Sequence, residues 1–207
     1  MSNFLKEAKR QNLLDSAYDL FLEKGMFATT ISDIVKRADV AKGTFYLYFK
    51  DKDDIFHALT DRISYRVVTD ACRAVRESGE QDFSERVILF ADCIIEYFRR
   101  APTVLRMLDR QFSWPHLERE LSSTSDPTIR SLVQDVLNSP ALRGRSEAET
   151  RDILFVLTEM VGATCYSSII DGRPAPIDEM KPVLYAIIRA TLRLPPALEA
   201  RAAGAAN

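Results

Sequence analysis

Residues 40–52 read VAKGTFYLYFKDK. Phe45, Tyr46, Tyr48 and Phe49 set four aromatic rings within five positions, and Lys42, Lys50 and Lys52 flank them. Phe45 and Phe49 stand four apart, so on a helix they share a face and form a core pair. Tyr46, Leu47 and Tyr48 then point elsewhere. A tyrosine combines a flat apolar ring with a hydroxyl. A lysine neutralises phosphate and releases its counterions. These types together suit the major groove of double-stranded DNA, where thymine methyls, base donors and acceptors, and phosphate walls lie side by side. Gly43 permits close approach of the backbone.

A groove-reading segment must be held by rigid elements, and the flanking sequence supplies them. Residues 6–24 put Leu13, Leu14, Ala17, Tyr18 and Phe21 on one side at helical spacing, and Gly25 follows as a left-handed cap. Thr30 and Asp33 have the spacing of a capping box, with Asp in place of the usual Glu. Ile31, Ile34, Val35 and Ala38 form the apolar stripe of a short second helix. Asp39, Val40 and Ala41 leave room only for a tight turn before a new helical pattern begins at Lys42. Two short helices joined by such a turn make a helix-turn-helix, closed from behind by the first helix. The N–H groups opening the two short helices, near Thr30 and Lys42, are expected phosphate sites.

The remainder reads as all-α. Gly and Pro are sparse, at 7 and 9, and further helical patterns cover 53–77, 83–100, 103–112, 128–138, 147–170 and 178–193. The net charge of −2 rules out a uniformly basic surface, so an anion site must be local. Residues 1–52 carry a net +2 and the rest −4. Cys72, Cys93 and Cys165 are too few and too far apart for a disulfide framework or a zinc set, so no metal is expected. The start lacks the apolar segment of a signal peptide, and ILFVLTEMVGATCYSSII is interrupted by Glu159. A cytoplasmic protein without a membrane partner is expected. With two histidines, His57 and His116, and no phosphate-cradling glycine loop or nucleophile elbow, an enzyme is not expected, nor is a cofactor.

Residues 10–56 resemble the N-terminal domain of TetR-family transcriptional regulators. That pattern ends its first helix with LF.E.G, continues TT...IA..AGVSKGTLY.YF and closes with K.KE.L. The chain agrees at Leu20, Phe21, Glu23, Gly25, Thr29, Thr30, Ile34, Ala38, Val40, Lys42, Gly43, Thr44, Tyr46, Tyr48, Phe49, Lys50 and Lys52. It departs at Asp39, where the family has Gly, and at Ala41, where it has Ser or Thr. Asp tolerates left-handed backbone better than most residues. Ala41 forgoes a side-chain cap, a loss of about 1 kcal/mol. The resemblance implies that Thr29 and Thr30 face phosphate. It places Lys42, Gly43 and Thr44 at the start of the recognition helix, brings Tyr46 and Tyr48 to bases or phosphates, and has Lys52 hold phosphate. Leu47 is placed to touch a thymine methyl.

The organisation expected is a DNA-binding domain at 1–52 and a helical effector-binding and dimerisation domain at 53–207. One recognition helix per half-site requires a homodimer. The last two strong helices offer the interface through Phe155, Met160, Gly162, Ala163 and Ser167 on one, and Val183, Leu184, Ile187 and Ala190 on the other. The resemblance further implies a pocket for an unknown small-molecule effector. Its candidate lining is Phe90, Cys93, Tyr97, Met107, Phe112, Trp114, His116, Phe155 and Tyr166. The function expected is a ligand-responsive regulator, a repressor released from a palindromic operator. The alternatives are a redox-sensing regulator using Cys72 and Cys93, and a helical interaction module without DNA binding.

Overall fold

The computed structural model describes residues 2–108 and 144–193, together with 127, 130, 131, 139 and 142. Among the described residues the regular elements are all helices: α1 (Ser2–Ala28), α2 (Ile31–Arg37), α3 (Lys42–Phe45), α4 (Lys52–Ser78), α5 (Phe83–Arg100), α6 (Pro102–Leu108), α7 (Glu147–Ile170) and α8 (Ile177–Arg193). The expected all-α class is the one found. The chain forms two compact units, Met1–Ile63 with Thr103–Asp109, and Ser64–Pro102 with Arg110–Asn207. Packing therefore divides α4 between Ile63 and Ser64, later than the functional division drawn at 52/53. Ile55, Phe56 and Leu59 explain why: they belong to the N-terminal core.

That core gathers Leu13, Leu14, Ala17, Leu20 and Phe21 of α1, Ile34, Val35 and Ala38 from α2 and its cap, Phe45, Phe49 and the start of α4. Phe21 meets Phe56 edge-on at 5.7 Å. α1 does not stop at Gly25 as expected. It breaks there, at φ 82 and ψ 160, and resumes to Ala28. That backbone geometry is one only glycine adopts freely.

The turn after α2 is a Schellman motif. Asp39 takes φ 51. The Val40 N–H donates to the Val35 carbonyl at 3.0 Å, and the Asp39 N–H to the Lys36 carbonyl at 3.4 Å. Val40 packs against the core, and the Asn12 amide donates to the Ala38 carbonyl at 2.8 Å. So Asp39 does fill the left-handed position, and a neighbouring helix secures the turn. α3 opens at Ala41 with no side-chain cap.

In the second unit α5, α7 and α8 pack against one another. Asp82 caps α5 through the Glu85 N–H, and Ser146 caps α7 through the Glu149 N–H. Ala148–Ile170 is long and apolar enough to cross a membrane by length and composition alone, contrary to the sequence reading. Its buried residues Leu157, Val161, Cys165 and Ser168 recur at helical spacing, as those of a packed helix do. α8 lies against α5 along a polar seam. Arg189 holds Glu85 through both guanidinium branches at 2.5 and 2.8 Å. Lys181 pairs with Asp92 at 2.8 Å and with Glu96, and the Tyr185 hydroxyl donates to Asp92. The Arg99 guanidinium, then Lys181, hold the Glu96 carboxyl down at about 2, against an ordinary 4.5.

Two outcomes follow from these contacts. Asp39→Gly removes the left-handed penalty and Ala41→Ser supplies the missing cap. Each is expected to raise the unfolding free energy by about 0.5–1 kcal/mol in denaturant titrations. The Glu96 contribution is complete above about pH 4.5 and is lost as pH falls toward 2. Arg99→Gln should therefore move the acid transition, followed by circular dichroism, to higher pH.

Candidate nucleic-acid interface

The recognition segment is short. Regular α3 ends at Phe45, and the chain continues through tight turns in which the Leu47 N–H reaches the Thr44 carbonyl and the Tyr48 and Phe49 N–H groups reach that of Phe45. Phe45 and Phe49 are buried, with ring centroids 5.7 Å apart. This anchor turns Tyr46 and Leu47 outward, 54% and 79% exposed. Lys42 and Gly43 are exposed beside them, and Thr44 and Tyr48 are half-buried. Tyr48 packs against the core, so its ring is partly committed there. A Cβ added at Gly43 would meet nothing within 4 Å, so the chain's own packing does not require a glycine there.

Three expected phosphate contacts are placed otherwise. Thr29 is 0% exposed, and its hydroxyl donates to the carbonyls of Gly25 at 2.8 Å and Leu20 at 3.3 Å. The Gly25 break leaves helix carbonyls wanting donors, and a buried hydroxyl supplies one. Lys52 turns its ammonium to the carbonyls of Met26, Thr29 and Phe27, at 2.8, 3.0 and 3.4 Å. The buried Thr29 hydroxyl is thereby closed to an external phosphate.

Thr30 is exposed but occupied. It forms the full capping box read from the sequence: its hydroxyl accepts the Asp33 N–H at 3.1 Å, and its own N–H and hydroxyl donate to the Asp33 carboxylate. Lys24 adds a third contact to the Asp33 side chain at 2.8 Å. Lys24 first, then the Thr30 N–H and hydroxyl, hold the Asp33 carboxyl well below the usual carboxylate range. Of the N–H groups at the start of α2, that of Thr30 is thus taken by the Asp33 carboxylate and that of Asp33 by the Thr30 hydroxyl.

Several features of this edge escaped sequence reading. Phe27 is 97% exposed at the α1–α2 corner. Arg10 stacks over the Phe49 ring at 5.4 Å, and Arg37 grips Glu23 at 2.7 Å through both branches. No local periodicity signals either partnership, because each joins residues far apart in sequence.

The expected effector residues are only partly gathered. Phe90, Cys93 and Tyr97 are half-buried and recur along one side of α5, and Tyr166 is half-buried on α7. Met107 instead packs on the N-terminal core, because α6 contributes to that unit. Phe155 is exposed on α7. Phe112, Trp114 and His116 lie outside the described residues. Among the described residues no group of His, Cys, Asp and Glu could hold a metal. Burial pushes the Cys165 thiol up to about 12 and raises that of Cys93, so neither is primed as a thiolate. Cys72 is buried.

Of the expected interface residues, Phe155, Ala163, Val183, Ile187 and Ala190 are exposed, and Met160, Gly162 and Ser167 are half-buried. Leu184 is 2% exposed: it lies with Ile188 and Leu192 on the core side of α8 and is not an interface residue.

Residues 13–59 match the family model described as bacterial regulatory proteins, tetR family. The chain is 37% identical over 75 residues to the uncharacterized HTH-type transcriptional regulator YvdT of Bacillus subtilis, covering 36% of this chain and 38% of that protein. It is 26% identical over 149 residues to the HTH-type transcriptional repressor NemR of Escherichia coli K12, covering 71% and 73%. A TetR-family regulator structure from Syntrophomonas wolfei superposes with a TM-score of 0.63 at 21% identity, covering 90% of this chain and 95% of that one. That likeness extends the agreement in fold through the C-terminal helices.

Two substitutions separate packing from contact. Thr29→Val should destabilise the fold by about 1–3 kcal/mol, since it strips a donor from buried carbonyls. Gly43→Ala should raise helix stability by about 0.5–1 kcal/mol yet weaken DNA binding, because the added methyl faces open space. Thermal melts and DNA titrations of the same samples check both.

Proposed function

We propose that this chain is a transcriptional regulator of the TetR family, a homodimeric repressor that leaves a palindromic operator when a small molecule binds its C-terminal region. The observation that carries the DNA-reading part is the outward edge formed by Lys42, Gly43, Tyr46 and Leu47 over a core closed by Phe45 and Phe49. An exposed tyrosine, leucine and lysine on a segment this firmly anchored form a surface built for a partner with apolar and anionic features. A DNA groove offers both. Thr44 and Tyr48 border this edge. Residues 1–52 carry the reading function and 53–207 the sensing and pairing functions.

Pairing is assigned to the exposed apolar stripes of α7 and α8, namely Phe155 and Ala163 on one, and Val183, Ile187 and Ala190 on the other. A second copy of the chain, related by a two-fold axis, covers them and sets two recognition segments at the spacing of successive major grooves, about 34–36 Å. Phe90, Cys93, Tyr97 and Tyr166 are the residues assigned to the effector. The effector acts by population shift: it favours a dimer whose recognition segments no longer match that spacing. α4 is the covalent route, an unbroken helix from Lys52 to Ser78 that begins beside the reading edge. The name of NemR supports repression over activation. The protein acts in the cytoplasm, where the operator is.

Anisotropy titration with duplexes from the DNA flanking the protein's own gene tests this reading. One fragment should bind tightly with strong salt dependence. Lys42→Ala should lower the salt slope by about one, and Tyr46→Ala should cost about 1–3 kcal/mol on the preferred sequence. Ile187→Glu should sediment as a monomer and lose tight binding. Indifference of every fragment to both reading-edge variants would overturn the DNA assignment.

A further inference from the structure

We propose that Lys52 is a positioning residue for the DNA-reading edge, a clamp fastening the first turn of α4 to the α1–α2 corner, rather than a phosphate contact. The proposal rests on the DNA-binding reading above and assigns how the edge is held. Lys52 sits at the first position of α4, the end of its own helix dipole that disfavours a cation. Asp53 and Asp54 in the same turn suit that end, and the Asp51 carboxylate accepts the Asp54 N–H at 2.9 Å.

The lysine extends instead to the far end of α1. Past the Gly25 break the Met26 carbonyl accepts the Thr29 N–H at 3.3 Å, the carbonyls of Phe27 and Thr29 lie in the corner that follows, and that end of a helix attracts cations. An ammonium has three protons to donate, and three carbonyls lie within 3.4 Å of Nζ. The corner so held leads directly into Thr30, the cap of α2. Its other ties are the Thr29 hydroxyl, which reaches back to Gly25 and Leu20, and the Thr29 N–H, which reaches the Met26 carbonyl; neither goes to α4. Lys52 is therefore the described hydrogen-bonding link from α4 to this corner, and the placement of α2 against DNA depends on it.

The test compares wild type, Lys52→Met and Lys52→Arg. DNA binding to the operator duplex is titrated from 50 to 200 mM salt, and backbone hydrogen exchange is followed in the free protein. For Lys52→Met, affinity should fall about tenfold with the salt slope unchanged. Amides of residues 29–33 should exchange at least tenfold faster, while those of residues 13–21 keep their wild-type rates. Lys52→Arg, whose guanidinium also donates to several carbonyls, should restore both readouts. A slope reduced by about one with exchange unaltered would make Lys52 a phosphate ligand and overturn the proposal. Equal acceleration at 13–21 and 29–33 would also overturn it, by making the lysine a general support of the fold. If wild type binds none of the duplexes, the DNA reading fails, and the exchange pattern alone decides whether the clamp exists.

Discussion

A helix that breaks must find donors for the carbonyls it abandons, and the N-terminal unit is organised around that requirement. Gly25 interrupts α1, and the exposed backbone is served by the Thr29 hydroxyl from below and by the Lys52 ammonium from α4. Both residues belong to the pattern by which TetR-like domains are recognised, and both spend their polar groups inside the fold. The Asp33 carboxylate does the same at the start of α2, where it gathers the Thr30 and Lys24 donors. With these groups bonded inside the fold, Lys42, Gly43, Tyr46 and Leu47 stand out as an exposed edge.

The second unit faces a different constraint: one helix must serve three surroundings. α8 turns Ile177, Leu184, Ile188 and Leu192 to the core, Lys181, Tyr185 and Arg189 to α5, and Val183, Ile187 and Ala190 outward. The polar set recurs every fourth residue against Glu85, Asp92 and Glu96, which run the opposite way along α5. Such a seam fixes the rotation of α8 about its own axis, because a rotated helix would bury Lys181 or Arg189 without a carboxylate. The apolar stripe is consequently held outward, as the proposed pairing requires.

Much of this was legible in the chain. The capping box of Thr30 and Asp33 is a local pattern, and its hydrogen bonds form within four residues. The tight turn at residues 39–41 followed from where the short helices had to stop, its left-handed residue Asp39 from the resemblance, and α5 and α7 span the residues assigned to them from periodicity. Phe45 and Phe49 were readable as core because i, i+4 spacing fixes a shared face whatever lies beneath. The sequence reading erred at the buried Thr29 and did not foresee the carbonyl contacts of Lys52, because polar residues in such a motif invite a phosphate role. Nothing local reveals that carbonyls of α1 lie within reach. It erred at Leu184 for a related reason: α8 is apolar on two sides, and periodicity alone does not say which faces inward.

The division has one physical origin. Interactions closed within a turn or two of chain, such as caps, stripes and tight turns, are set by residue types and spacing, so the sequence alone determined the all-α class, the helix-turn-helix and the aromatic anchor. Interactions closed across the fold depend on where distant backbone atoms come to rest. Only tertiary structure decided that Thr29 is sealed in, that Lys52 serves carbonyls 23 to 26 residues away, that Met107 joins the N-terminal core, and that Leu184 faces inward while Val183 beside it faces out.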